Sequence, residues 1–323
     1  MVDASPLFQP LKIKGFTVRN RIVLPPMVEL RGITSDAGIE WYRERSAGVG
    51  LTIVEATPTV RVVDEFSVEG LRRLTDAIHA GGALAAIQLF PIPFSWPMKD
   101  PVPTPADMDN ASVELMLERY RLAAAKCAQA GFDGVEPHGA HGYLLNQFFS
   151  PKQNTRTDWY GGSLEKRMRM GMEVVRAARR GLGRDKLLLY RHTPVEDGAY
   201  GIEDSLLFAA KLVEAGVDVL DISPASAEAP GDRSEPFRKL GVPVIAVNHM
   251  DLVERTVEAM EKGRADLIAV GRGMIADPQW PQKVQAGKSD EIVKCVLCNK
   301  KCFGHLKKGL AVECTQWQGG GSV

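Results

Sequence analysis

Short apolar runs, each bounded by Gly, Pro or Asp, alternate along this chain with longer amphipathic stretches, and the alternation predicts strands followed by helices. The runs number eight: residues 21–27 (RIVLPPM), 51–56 (LTIVEA), 83–90 (ALAAIQLF), 134–138 (GVEPH), 187–192 (LLLYRH), 217–223 (VDVLDIS), 243–248 (PVIAVN) and 265–272 (ADLIAVGR). Helical stretches fall between them, among them 112–130, 163–180, 203–215 and 252–262. Several reach a Gly just before the next run, in AGFDGVE, AGVDVLD and KGRADLI, where a helix C-terminal cap belongs.

Strands that are apolar nearly throughout belong to a parallel sheet covered on both faces, and eight strand–helix units are the number that closes an α/β fold into a (β/α)8 TIM barrel. A doubly wound open sheet is the competing arrangement. A length of 323 residues suits either two average domains or one barrel with an extension. The division expected is a barrel over 1–288, a cysteine-bearing segment over 289–318 and a flexible tail at 319–323, inside QGGGSV.

Charge narrows the function. Forty basic and forty acidic residues cancel, so no global field attracts nucleic acid or an anionic membrane, and a small-molecule substrate is expected. The longest apolar stretch, 81–93, is too short to span a bilayer and is broken by Gln88 and prolines. The start, MVDASPLFQP, lacks the basic and apolar regions of a secretory signal, so a cytoplasmic location is expected.

In that reducing compartment the tail pattern C-x2-C-x3-C-x11-C, formed by Cys295, Cys298, Cys302 and Cys314, reads as a ligand set rather than as disulfides. Four thiolates suit either zinc, which would staple structure, or an iron–sulfur cluster, which would carry electrons. Cys127 stands apart in RLAAAKCAQAG, where a buried small apolar residue is expected.

In a barrel the chemistry lies where strands end. Run four leads into His138, His141 and Tyr143; run three carries Gln88; run five ends in Arg191 and His192; run eight ends in Gly271 and Arg272, a Gly-Arg pair suited to phosphate. Each residue alone has an ordinary structural explanation. Two imidazoles and a phenol within six residues at one strand end are more specific, because burying them without a use is costly.

LFQPLKIKGFTVRNRIVLPPM, AGFDGVEPHGAHGYLLNQFFSPKQNTRTDWYGGSLEKRMR, YRHT and GRADLIAVGRGMIADP together resemble the old yellow enzyme family of FMN-dependent ene reductases, over most of residues 5–285. The tail, CVLCNKKCF followed by VECT, is similar to the iron–sulfur branch of that family, which includes 2,4-dienoyl-CoA reductase and trimethylamine dehydrogenase. The resemblance implies that Pro25, Pro26, Met27 and Val28 line FMN, with Ala56 and Gln88 near its ring, Arg191 beside the edge that gains charge on reduction, and Gly271 and Arg272 on the phosphate. It implies that His138 and His141 bind a substrate carbonyl, that Tyr143 donates the proton to the alkene, and that Cys295, Cys298, Cys302 and Cys314 hold a [4Fe-4S] cluster.

Departures from the family pattern matter too. QLFPIPFSWP replaces the usual continuation of run three and offers Phe90, Phe94 and Trp96 as an aromatic face. Val28 replaces a hydrogen-bonding Thr or Cys, and Asn248 stands where Gly is common, which leaves its half of the phosphate site in doubt. No GxGxxG fingerprint follows a strand, so electrons are expected from free NAD(P)H or from a protein carrier such as a ferredoxin, flavodoxin or electron-transferring flavoprotein. The lysines at 294, 300, 301, 307 and 308 suit an acidic carrier, and a homo-oligomer is compatible with the composition. An amine-type dehydrogenase passing electrons outward, or an electron-relay subunit, are the alternative functions.

Overall fold

A computed structural model describes residues 2–94, 102–226, 229 and 231–317. Eight parallel strands close a barrel: β3 (Ile22–Leu24), β4 (Leu51–Pro58), β5 (Leu84–Phe90), β6 (Gly134–Gly139), β7 (Leu187–His192), β8 (Val219–Ile222), β9 (Val244–Ala246) and β10 (Leu267–Ala269), with β10 pairing β3 to complete the ring. Each lies within or across one of the eight apolar runs. The fold is the expected (β/α)8 barrel, and the open-sheet alternative is set aside.

The helices that cover it are α1 (Asp36–Ser46), α2 (Val68–Ala80), α3 (Asn110–Gln129), α4 (Leu144–Phe149), α5 (Leu164–Leu182), α6 (Ile202–Ala215), α7 (Val253–Glu261), α8 (Arg272–Ala276) and α9 (Trp280–Gln285), with α10 (Phe303–Leu306) in the cysteine segment. Local chemistry sets their ends. Ser35, Ser67 and Ser163 each accept a backbone N–H of the first turn, and Asp109 does the same for α3, satisfying donors that would otherwise be orphaned. Helix α6 stops at Gly216, whose φ of 118° lies in the left-handed region that costs a side-chain-bearing residue most.

Alternation along the strands divides the core in two. Val23, Leu51, Ile53, Leu187, Leu189, Val219, Ile245 and Leu267 fill the barrel interior, while Val54, Leu188, Tyr190 and Leu220 face the helices. A hairpin absent from the sequence reading, β1 (Leu11–Ile13) with β2 (Phe16–Val18), sends Ile13 and Val18 into the interior cluster. It packs against the first residues of the strands and so caps the end opposite the chemistry. In α3, Cys127 is fully buried as expected, and burial pushes its thiol up to about 12.

Candidate active site

At the C-terminal ends of the strands lies a cavity of about 260 Å³. Its walls include Pro26, Met27, Val28, Ala56, Gln88, His138, His141, Tyr143, Arg191 and Arg272, which brings together ten of the residues the sequence singled out. Phe90 and Phe94 line it as well; Trp96 lies outside the described residues.

Gly271 borders this site. A Cβ there would stand 3.4 Å from Met27 Sδ and 3.6 Å from Pro25 Cγ, so the glycine keeps a narrow space open beside both residues. Asn248 does not line the cavity. Its φ is 92°, and its amide is spent on the carbonyls of Ala229 (3.0 Å) and Gly231 (3.2 Å), so it ties down the loop after β8 instead.

The strand-four group is arranged edge to face. His138 packs against His141 (5.3 Å between ring centroids), Tyr143 (5.3 Å) and Phe90 (5.4 Å), and Phe90 also meets Tyr143 at 5.0 Å and Phe94 at 4.9 Å. Burial, with the Arg191 guanidinium adding repulsion, pushes His138 down to about 3. The same two causes hold His141 well below its ordinary value, so both imidazoles are neutral at physiological pH. Burial shifts Tyr143 upward, keeping its phenol protonated. His141 adopts φ 60°, a strained value for a non-glycine residue, and its N–H donates to Thr193 Oγ1 at 2.9 Å.

Beneath the cavity runs a buried polar network that sequence reasoning missed. Gln88 Nε2 donates to Glu136 Oε1 at 2.7 Å, Asp221 lies 3.3 Å from Arg191 Nη1, Arg191 Nη2 donates to Ser223 Oγ at 3.1 Å, and Ser223 Oγ meets His141 Nε2 at 2.8 Å. Glu136, Asp221 and Ser223 are all buried. Burial drives both carboxyls up and Arg191 offsets part of this for each; the Asp221 charge raises Glu136 further while hydrogen bonding with Glu136 lowers Asp221, so Glu136 is the one that holds a proton. Asp221 and Arg191 Nη1 are close but misaligned for a hydrogen bond, and Arg191 Nε also lacks a partner. One sequence feature could have found the network: Glu and Asp inside otherwise apolar strands demand partners.

The cavity's remaining wall comes from the tail, through Phe303, Leu306 and Val312. Two hydrogen bonds hold that wall, Val312 N–H to the Glu29 carbonyl (3.0 Å) and Arg31 Nη2 to the Val312 carbonyl (2.7 Å), and Trp317 Nε1 donates to the Ile275 carbonyl (3.0 Å). Cys295, Cys298, Cys302 and Cys314 surround a second, small cavity of about 20 Å³, and none is in a disulfide. Arg272 borders both cavities. Among the described residues no three ligating side chains converge closely enough to hold a single metal ion.

The pattern that defines the NADH:flavin oxidoreductase / NADH oxidase family matches residues 6–291. The chain belongs to that family, the old yellow enzymes. Among its relatives, this old yellow enzyme chain is 33% identical to an NADH oxidase of Thermoanaerobacter brockii, over 96% of its own length and 55% of the relative's. A solved complex of 2-naphthoyl-CoA reductase with 2-naphthoyl-CoA superposes with a TM-score of 0.87 at 26% identity, covering 97% of this chain and 57% of that one. Histamine dehydrogenase from Rhizobium sp. 4-9 superposes with a TM-score of 0.81 at 25% identity, covering 97% and 52%. The chain thus spans about half the length of these relatives. The family's flavin fits the residues present: Arg191, which carries two buried nitrogens without a partner, and Gln88 line one cavity, and Gly271 keeps space open beside Met27 of the same wall.

Proposed function

We propose that this chain is an FMN- and [4Fe-4S]-dependent ene reductase that reduces the activated C=C bond of an α,β-unsaturated carbonyl or enoyl thioester. The barrel, 1–288, holds FMN, and the segment 289–318 holds the cluster; 319–323 is a tail outside the described residues. The observation that carries the reading is the placement of two neutral imidazoles and a protonated phenol on one cavity wall. An uncharged imidazole N–H can donate to a carbonyl oxygen and strengthens as negative charge develops there. Tyr143 stays protonated across neutral pH and serves as the acid for the alkene carbon.

FMN supplies the redox chemistry when bound. Pro25, Pro26, Met27, Val28, Ala56 and Gln88 hold it, with Gly271 and Arg272 at its phosphate; Asn248 supports the adjoining loop. Gln88 Nε2 is fixed by Glu136, which leaves its other amide groups for the ligand. Arg191 brings a positive charge and unpaired N–H groups to the same site. Phe90 and Phe94 give the cavity an aromatic face suited to a planar acyl group, and the similarity to 2-naphthoyl-CoA reductase supports an acyl thioester.

Four undisulfided cysteines that line one small cavity in the spacing C-x2-C-x3-C-x11-C support the cluster reading. Around them Val296, Leu297, Phe303 and Leu310 are exposed beside Lys294, Lys300, Lys307 and Lys308, a surface matched to an acidic electron carrier. The similarity to histamine dehydrogenase favours a second reading, amine oxidation with electrons leaving through the cluster.

Anaerobic purification followed by iron, sulfide and FMN analysis tests the cofactors, and turnover of enones, enoyl thioesters and amines with a dye donor or acceptor decides the direction. Tyr143→Phe should lower alkene reduction about 100-fold while leaving flavin reduction intact. Unchanged alkene turnover removes Tyr143 from the acid role, and a colourless protein carrying only zinc overturns the cofactor assignment.

A further inference from the structure

The hydrogen bonds behind the histidine pair bear on which ring nitrogen of each carries its proton. A guanidinium has donors and no acceptor, so in the contact between Arg191 Nη2 and Ser223 Oγ the hydroxyl oxygen accepts. Ser223 has one proton of its own, and among the described residues His141 Nε2, 2.8 Å away, is the acceptor in contact with that hydroxyl. A serine oxygen has a second lone pair, so the arrangement that also pairs its own proton among the described residues is donation from Ser223 to Nε2, which makes Nε2 the bare nitrogen of a neutral ring and puts the His141 proton on Nδ1. In His138 the order is reversed: the Ala140 N–H points at Nδ1 (3.4 Å), making that atom the acceptor and leaving the proton on Nε2. Among the described residues neither His141 Nδ1 nor His138 Nε2 has a hydrogen-bond partner, neither counts among the sealed, unpartnered atoms, and both residues line the cavity.

We propose that Ser223 is a positioning residue that sets the tautomer of His141, so that the two histidines present N–H groups from opposite ring nitrogens, Nε2–H of His138 and Nδ1–H of His141, to one substrate oxygen. The function assigned to these donors rests on the ene-reductase reading; the placement of the proton does not. The buried Arg191 is essential to it. By occupying one lone pair of the hydroxyl with a group that cannot accept, Arg191 turns the Ser223 proton away from itself and toward His141. Ser223 is itself buried and its backbone N–H is bound to the His192 carbonyl (2.9 Å), so the hydroxyl is held where β8 ends.

The test is nitrogen NMR of the oxidised holoenzyme labelled with ¹⁵N-histidine, with the His141 signals assigned by their loss in His141→Asn. The wild type should show a protonated Nδ1 and a bare Nε2 at His141. Ser223→Thr keeps the hydroxyl and should keep that pattern. Ser223→Asp offers only acceptors and should move the proton to Nε2, while Ser223→Ala should give a mixture. Enone kcat/KM should fall about 10-fold in Ser223→Ala and about 100-fold in Ser223→Asp, with flavin content unchanged and Ser223→Thr restoring most of the rate. A wild-type His141 protonated at Nε2, or a tautomer unmoved in Ser223→Ala, overturns the proposal. If the spectra behave as expected and no enone turns over even in the wild type, the ene-reductase reading fails while the Ser223 assignment stands.

Discussion

The two walls of the cavity are built on different principles. On the barrel side, Gln88, His138, His141 and Arg191 stand on or beside β5, β6 and β7; Gln88 is bonded from behind by Glu136, His141 and Arg191 by Ser223, and His138 by the Ala140 N–H. On the tail side, Phe303, Leu306 and Val312 belong to a segment whose only α-helix among the described residues is the four-residue α10, and Phe303 is 51% exposed. Chemistry that needs fixed donors sits on the wall that the fold makes rigid. The other wall depends on a few tethers and on whatever the four cysteines hold.

Removing the cysteine centre should separate the two walls most. Cys302→Ala is expected to lose iron and to make residues 295–314 readily cleaved by protease, while the barrel retains FMN and its melting temperature. Equal loss of flavin and iron would mean the walls are one unit. Next in size is Asp221→Leu, which leaves the Arg191 charge buried without its counter-ion and should cost about 3–5 kcal/mol by denaturant unfolding. A loss under about 1 kcal/mol would mean that water or another group already solvates Arg191.

The acid sensitivity of the barrel wall isolates one further group. His192 is buried, bonded to Ser205 Oγ at 2.9 Å, and pushed down to about 3 by that burial. Its folded pKa is depressed, so the unfolded chain takes up a proton from about pH 6.5 downward that the folded chain refuses. Stability from this group is complete above pH 6.5 and is lost as pH falls toward 3. Wild type should therefore lose about 2 kcal/mol more than His192→Gln between pH 6.5 and pH 5, measured by urea unfolding. Parallel curves would remove His192 from the acid response.

The smallest expected effect is chemical. In iron-free folded protein the four tail thiols should react with a thiol reagent, and Cys127, buried in α3 with its thiol near 12, should react only on unfolding. Labelling of all five cysteines at one rate would mean that the barrel opens as easily as the tail.

Much of this was legible in the sequence, for reasons that also explain the gaps. Parallel barrel strands are buried on both faces, so they appear as continuous apolar runs, and the residues that interrupt or end those runs line the mouth. The hairpin β1–β2 escaped because its strands are three residues each, too short to establish a period. The run at 265–272 reads as a longer strand than β10, because Gly271 and Arg272 already turn into α8. Glu136, Asp221 and Ser223 escaped because their partners lie 30 to 82 positions away along the chain. Asn248 takes a position shared with the loop after β8, a contact that nothing in its neighbours announces.

The hairpin at the base has one more consequence. With Ile13 and Val18 packed into the lower end of the cylinder, the buried Glu136 and Asp221 lie between a closed base and the Gln88 and Arg191 side chains that line the mouth. A ligand that fills the mouth would cover the proton held on Glu136 from that side as well.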